Sequence, residues 1–129
     1  MQSASYNLSE RLLDYAVQII KIFEELPNTT AGRRIGDQLL RSGTSVGANY
    51  EEAQAAESKA DFSHKLQISL KELRKSLFSL RLIAKSELLP PDRLSEIIDE
   101  TIQLRAIFSK AITTAKSKSK TSSTHLSIR

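Results

Sequence analysis

Two histidines are the side chains of this sequence best suited to general-base chemistry, which requires a nucleophile within reach of the base. His64 stands between Ser63 and Lys65, but adjacent residues of a helix do not face one another. His125 belongs to a Ser- and Thr-rich segment at the C-terminus. The sequence therefore predicts no catalytic residue, and His64 is interpreted as a solvated surface side chain.

Motifs that bind metals or cofactors are also missing from the sequence. Bundle metal sites use Glu-x-x-His pairs from facing helices, and the nearest approach here is a single Asp61-x-x-His64. The chain has no Cys, which excludes disulfides and thiolate ligands. Gly43-x-x-x-Gly47 lacks both the Lys-Ser/Thr and the preceding strand of a phosphate-binding loop. We predict no metal and no cofactor, and an enzyme is the least supported class.

A strip of positive charge is predicted along the third helix, where only Asp61 and Glu72 oppose it. Lysine point charges and arginine forks are the groups that contact nucleic-acid phosphates. Pairing with the acidic start of the fourth helix, or simple solvation, are the alternatives. We call the following residues the basic strip and predict them as the nucleic-acid-binding site: Lys71, Arg74, Lys75, Arg81 and Lys85.

Three polar residues of the second helix lie close to its apolar phase rather than opposite it: Arg41, Asn49 and Glu52. We predict that they form a structural polar network, either with one another or with a backbone group. A binding role is the alternative.

Apolar residues also occur away from the leucine seam of the third helix, at Ile68, Phe78 and Leu82. Such residues indicate either a wide core face or a partner surface. The fourth helix repeats the pattern with Ile102, Ile107 and Ile112. Self-association accounts for both sets, and we predict Ile68, Phe78 and Leu82 as an oligomer interface.

These side chains must be positioned by helices, because the composition favours helix packing. Of 129 residues 40% are hydrophobic, mostly Leu, Ile and Ala, and only four are Gly and three Pro. Capping residues and prolines divide the chain into four apolar-periodic segments. The predicted helices begin at Asn7 or Leu8, at Thr29 or Thr30, after Ser58, and at Pro91. They end before Pro27, near Glu57, between Ser86 and Leu89, and near Ala115.

The second helix contains two glycines, Gly43 and Gly47, each costing a helix interior about 1 kcal/mol. A break into two shorter helices is therefore an alternative. We predict one helix, because the apolar stripe keeps its phase across the glycines and small residues allow a neighbouring backbone to approach closely.

The fold class predicted is all-α, an antiparallel up-and-down four-helix bundle over residues 1–115 with a disordered basic tail over residues 116–129. Four of the 19 basic residues lie in that tail, which leaves 15 basic and 15 acidic residues in the body. No apolar run is long enough to span a membrane, and no signal peptide begins the chain. We expect a cytoplasmic protein.

The segment Gly36–Ala53 resembles the signature of the bacterial four-helix-bundle family named after 23S rRNA intervening sequences. The resemblance covers roughly residues 6–115 and includes Phe23-Glu24-Glu25-Leu26-Pro27 and the segment Phe62–Ser69. Its most specific part is Arg41–Glu52, although the family often has Pro at the position of Gly47 and Gly at that of Ala53.

The resemblance implies a homopentamer of four-helix protomers. The family includes accessory proteins of diversity-generating retroelements, which bind nucleic acid and a reverse transcriptase. By similarity, Arg41, Asn49 and Glu52 occupy the family's polar positions. The function expected is a non-enzymatic homo-oligomeric scaffold that binds RNA, DNA or a nucleic-acid enzyme. The alternative is a protein–protein interaction module that binds no nucleic acid.

Overall fold

Four helices make up the chain in the computed structural model, which describes the backbone of residues 4–128 and the side chains of residues 8–117. They are α1 (Ala4–Glu25), α2 (Thr30–Gln54), α3 (Lys59–Lys85) and α4 (Pro91–Ile128). Short connections make each helix antiparallel to the one before it. Residues 4–128 contain no strand, and the predicted four-helix bundle is confirmed. The predicted disordered tail lies largely outside the described side chains.

The helix ends follow the predicted capping residues. The Thr29 hydroxyl accepts a hydrogen bond from the Gly32 N–H at 3.0 Å, and the Ser58 hydroxyl accepts one from the Asp61 N–H at 3.0 Å. Three bounds differ from the prediction, and the largest difference is at α4, which continues to Ile128 instead of ending near Ala115. The α1 helix already begins at Ala4, since no Gly or Pro interrupts residues 4–7. The α2 helix stops at Gln54 rather than near Glu57, because residues 55–57 must turn towards the extended cap of α3.

The α2 helix is continuous through both glycines, as predicted, and Gly43 packs directly against Ile19 of α1. A Cβ atom on Gly43 would lie 2.6 Å from Ile19 Cγ1. The Thr44 and Ser45 hydroxyls donate to the Leu40 and Arg41 carbonyls, both at 2.6 Å. Close packing thus offsets the poor helix propensity of this segment.

Neighbouring helices pack around a core of Leu and Ile, and within residues 8–117 Tyr50 and Phe108 form an edge-to-face pair whose ring centroids are 5.9 Å apart. The α1 helix packs on α2 and touches α4 lightly, whereas α3 packs on both α2 and α4. Because α1 and α3 are diagonal in the bundle, their outward faces lie on opposite sides.

The α3 helix ends in a Schellman motif centred on Glu87, which has a φ of 60°. The Glu87 N–H donates to the Ala84 carbonyl at 3.2 Å and the Leu88 N–H to the Ile83 carbonyl at 3.1 Å. This turn directs the chain from Lys85 back to Pro91 and so fixes the height at which the basic strip ends.

Candidate interaction surfaces

The residues considered for catalysis are not brought together. His64 is exposed on α3, the Ser63 hydroxyl accepts a hydrogen bond from Gln67, and Lys65 pairs with Glu52 at 2.9 Å. Within the described residues, no cluster of His, Asp and Glu could hold a metal ion. His125 lies outside the described side chains.

All five side chains of the basic strip are exposed on the outward face of α3. Lys71, Arg74 and Lys75 line a groove towards α2, whereas Arg81 and Lys85 line a groove towards α4. In the described part of the chain, the only ion pair that includes a strip residue joins Lys75 to Glu72 at 3.7 Å. Apart from this pair, the strip is a charged surface without a neutralising partner among the described residues.

The acidic first half of α4 faces α1, so the alternative in which it neutralises the strip is not realised among residues 8–117. Arg11 Nε and Nη2 donate to the two Glu100 carboxylate oxygens, both at 2.8 Å. Arg93 makes a similar fork with Glu25 at 2.8 and 2.6 Å. Hydrogen bonding to the carboxylates raises the pKa of both arginines, and Arg93 lowers the pKa of Glu25. These forks close the lightly packed seam between α1 and α4.

Two of the three predicted interface residues lie on the same face as the basic strip. Phe78 is 69% exposed and Leu82 is 38% exposed, whereas Ile68 is less accessible and half-buried. Phe78 has Arg74 and Lys75 one turn before it and Arg81 and Leu82 one turn after it, so the apolar and cationic side chains form one surface.

The apolar residues of α4 divide into three environments. Ile102 is exposed, Ile107 is half-buried, and Ile112 belongs to the core. The assignment of Ile112 to a partner surface was therefore wrong: it lies one turn beyond Phe108, on the same buried stripe.

A stripe that the sequence analysis missed runs along the outward face of α1. Leu13, Val17 and Ile20 are 60%, 42% and 41% exposed, and their spacing places them on one side of the helix. The signal was present in the sequence as a second i, i+4, i+7 series, out of phase with the buried series. We call these three residues the α1 stripe.

The predicted polar residues of α2 make separate contacts. The Asn49 side-chain amide donates to the Ser45 carbonyl at 2.9 Å, and Glu52 accepts from Lys65. Arg41 is exposed, and among the described residues no ion pair links it to Glu52. Asn49 thus binds a backbone group of its own helix, and the described contacts do not join the three side chains into a single network.

Four antiparallel helices with mixed apolar and charged outward faces define a helical-bundle protein whose conspicuous surface features are faces rather than clefts. The chain belongs to the 23S rRNA-intervening sequence protein family, whose family model matches residues 5–110. The predicted resemblance is confirmed. In the described residues, no helix combines the length and apolarity that crossing a membrane requires.

One solved structure similar to this chain is the crystal structure of a protein with unknown function from the S23 ribosomal protein family of Bacteroides thetaiotaomicron VPI-5482. The two chains are 33% identical with a TM-score of 0.76, and the match covers 81% of this chain and 96% of that chain. No curated protein matches the chain.

Proposed function

We propose that the protein is a non-enzymatic, homo-oligomeric helical scaffold. The observation that carries this proposal is the exposure of large apolar side chains on opposite sides of the bundle, with Leu13 60% and Phe78 69% exposed. Apolar surface of this kind marks association sites. Two different patches on one protomer favour head-to-tail contacts, which form a ring when the rotation between copies closes and an open filament when it does not. The family resemblance supports five copies.

Light scattering tests the assembly. We expect a mass of about five protomers for the full chain, in line with a closed cyclic oligomer. A truncated chain that ends at Ala115 should give the same mass, because the apolar patches lie on the helices. A monomer in both would contradict the scaffold, and loss of assembly only on truncation would assign the contacts to the tail instead.

A nucleic acid, or an enzyme that acts on one, is the partner that the basic strip favours. Its five exposed cations could contact phosphates, which supplies affinity without sequence readout. The place of action that we propose is the cytoplasm. The electroneutral body, with 15 basic and 15 acidic residues, favours the alternative, a protein-interaction module that binds no nucleic acid.

Charge reversal at Arg74, Arg81 and Lys85 separates these two partners. If the strip binds phosphates, substitution of all three by Glu should weaken binding to RNA or DNA and reduce the slope of log K against log salt by about 3. Reversal of the exposed residues Arg34, Lys59 and Lys110 serves as the control, because they lie outside the strip. Unchanged affinity and slope would disprove the site. Wild-type binding that vanishes by about 150 mM salt would favour the interaction module.

A further inference from the structure

We infer that the outward face of α1 in one copy docks on the outward face of α3 in the next copy. This inference rests on the proposed self-association and specifies the two surfaces that would meet. A basic strip covered in this way is closed to nucleic acid, so this contact and phosphate binding by the strip are alternatives. It is carried by their matching charge, apolar content, length and height in the bundle.

The α1 face is apolar and acidic. Leu13, Val17 and Ile20 are exposed on it, and three exposed acids flank them: Glu10, Asp14 and Glu24. Lys21 is the one cation among these outward positions. No ion pair within residues 8–117 includes any of the three acids. This face therefore presents an apolar stripe with a net charge of the opposite sign to the basic strip.

The α3 face is apolar and basic, and its charges need a counter-charge. Phe78 and Leu82 lie among the residues of the basic strip. Like charges three and four residues apart on a helix repel one another. An acidic partner removes this repulsion, and an apolar side chain such as Ile20, which comes one residue from the level of Phe78, covers that ring. The α1 face of a second copy supplies both.

The two faces also match in length. The acids of α1 extend from Glu10 to Glu24 and the strip from Lys71 to Lys85, so each covers fourteen helical steps, or about 21 Å. At the relative height that the α2 contacts fix, the charged stretches overlap over ten of these steps, from Asp14 beside Lys71 to Glu24 beside Arg81.

The contacts that α1 and α3 each make with α2 place their outward faces at similar heights along the bundle axis. Gly43 lies against Ile19, and the adjacent Ser42 hydroxyl is hydrogen-bonded to Ser76 at 2.9 Å, so Ile19 and Ser76 are level. At the next level, Gly47 lies against Leu12 and the Ser69 hydroxyl donates to the Val46 carbonyl at 3.0 Å.

Counting equal numbers of residues along the two parallel helices from these pairs puts Asp14 level with Lys71 and Glu24 level with Arg81. Copies related by rotation about an axis parallel to the helices therefore meet with opposite charges at equal height. If two copies were instead related by a two-fold axis through one of these faces, that face would contact its own equivalent, and like charges would meet. The geometry points to a head-to-tail contact between successive copies.

Charge-swapped variants test this interface by light scattering at about 50–150 mM salt, where surface charges still interact. One variant carries E10K, D14K and E24K, and another carries R74E, R81E and K85E. Each should fall from the assembled mass to that of one protomer, because like charges then meet. The control variant carries E57K, E87K and D92K at exposed acids outside the two faces and should keep the wild-type mass.

Rescue distinguishes a docking contact from a folding defect. A chain with all six interface substitutions should recover the wild-type mass, and an equimolar mixture of the two reversed chains should form species larger than either alone. Assembly that survives reversal of the α1 acids, or a mixture that stays monomeric, would overturn the interface. A wild-type chain that is itself monomeric would instead refute the proposed scaffold.

Discussion

Replacement of Gly43 by Leu is expected to lower the free energy of unfolding by about 3 kcal/mol, since overpacking a dense core forces side chains and backbone to shift. A Cβ atom alone would lie 2.6 and 2.8 Å from the two γ carbons of Ile19. Ile19 is completely buried and cannot move out into solvent. Urea unfolding followed by far-UV circular dichroism measures the loss.

Gly47 provides the matched control for this prediction. A Cβ atom there would lie 3.4 Å from Leu12 Cβ, an ordinary van der Waals contact. Gly47→Ala should therefore raise the free energy of unfolding by about 1 kcal/mol through helix propensity alone. Gly43→Ala should not show this gain. If both alanine variants were stabilised equally, the close approach at Gly43 would not limit the packing of α1 on α2.

Continuity of α2 was predictable because the apolar phase outweighs the glycines. Leu39, Val46, Tyr50 and Ala53 stay on one buried stripe across the segment. The inference that small residues admit a close neighbour was also correct. The sequence could not identify Ile19 as that neighbour, since the contact depends on how α1 is rotated about its axis.

The sequence did not predict the polar residues that are buried between the helices. Ser69 and Ser76 are fully buried on α3, although a helical pattern assigns serine to the solvent side. Their hydroxyls bind Val46 and Ser42 of α2, partners that become available only after the helices pack. Glu87 is a similar case, because a positive φ normally indicates Gly.

The candidate surface was predicted in part. Exposure of the basic strip followed from the phase of the leucine seam, which the structure buries at Leu66, Leu73 and Leu80. The α1 stripe was missed because the stronger buried series on that helix accounts for most of its apolar residues. The two faces can form a complementary pair only because α1 and α3 are diagonal in the bundle. That arrangement depends on the topology of the fold.

Tyr15→Phe is expected to destabilise the protein at pH 7 by about 1 kcal/mol, the usual net value of a buried hydrogen bond. Tyr15 is 2% exposed, and its hydroxyl lies 2.8 Å from Thr101 Oγ1. Because Thr101 donates its own proton to the Ile97 carbonyl at 2.6 Å, Tyr15 is the donor to Thr101. Thr101 keeps that second bond in the variant, which limits the loss.

The same substitution should become stabilising in alkali. Burial raises the pKa of Tyr15 from 10 to about 12, because the charged phenolate cannot be solvated in the core. Above pH 10 the unfolded chain releases the Tyr15 proton while the folded chain retains it, so the free energy of unfolding falls as pH rises. The wild type should lose about 2 kcal/mol relative to Tyr15→Phe by pH 11.5. Tyr6 and Tyr50 are present in both proteins and cancel in this difference. Parallel stability curves between pH 7 and 11.5 would mean that Tyr15 ionises as readily in the folded chain as in the unfolded one.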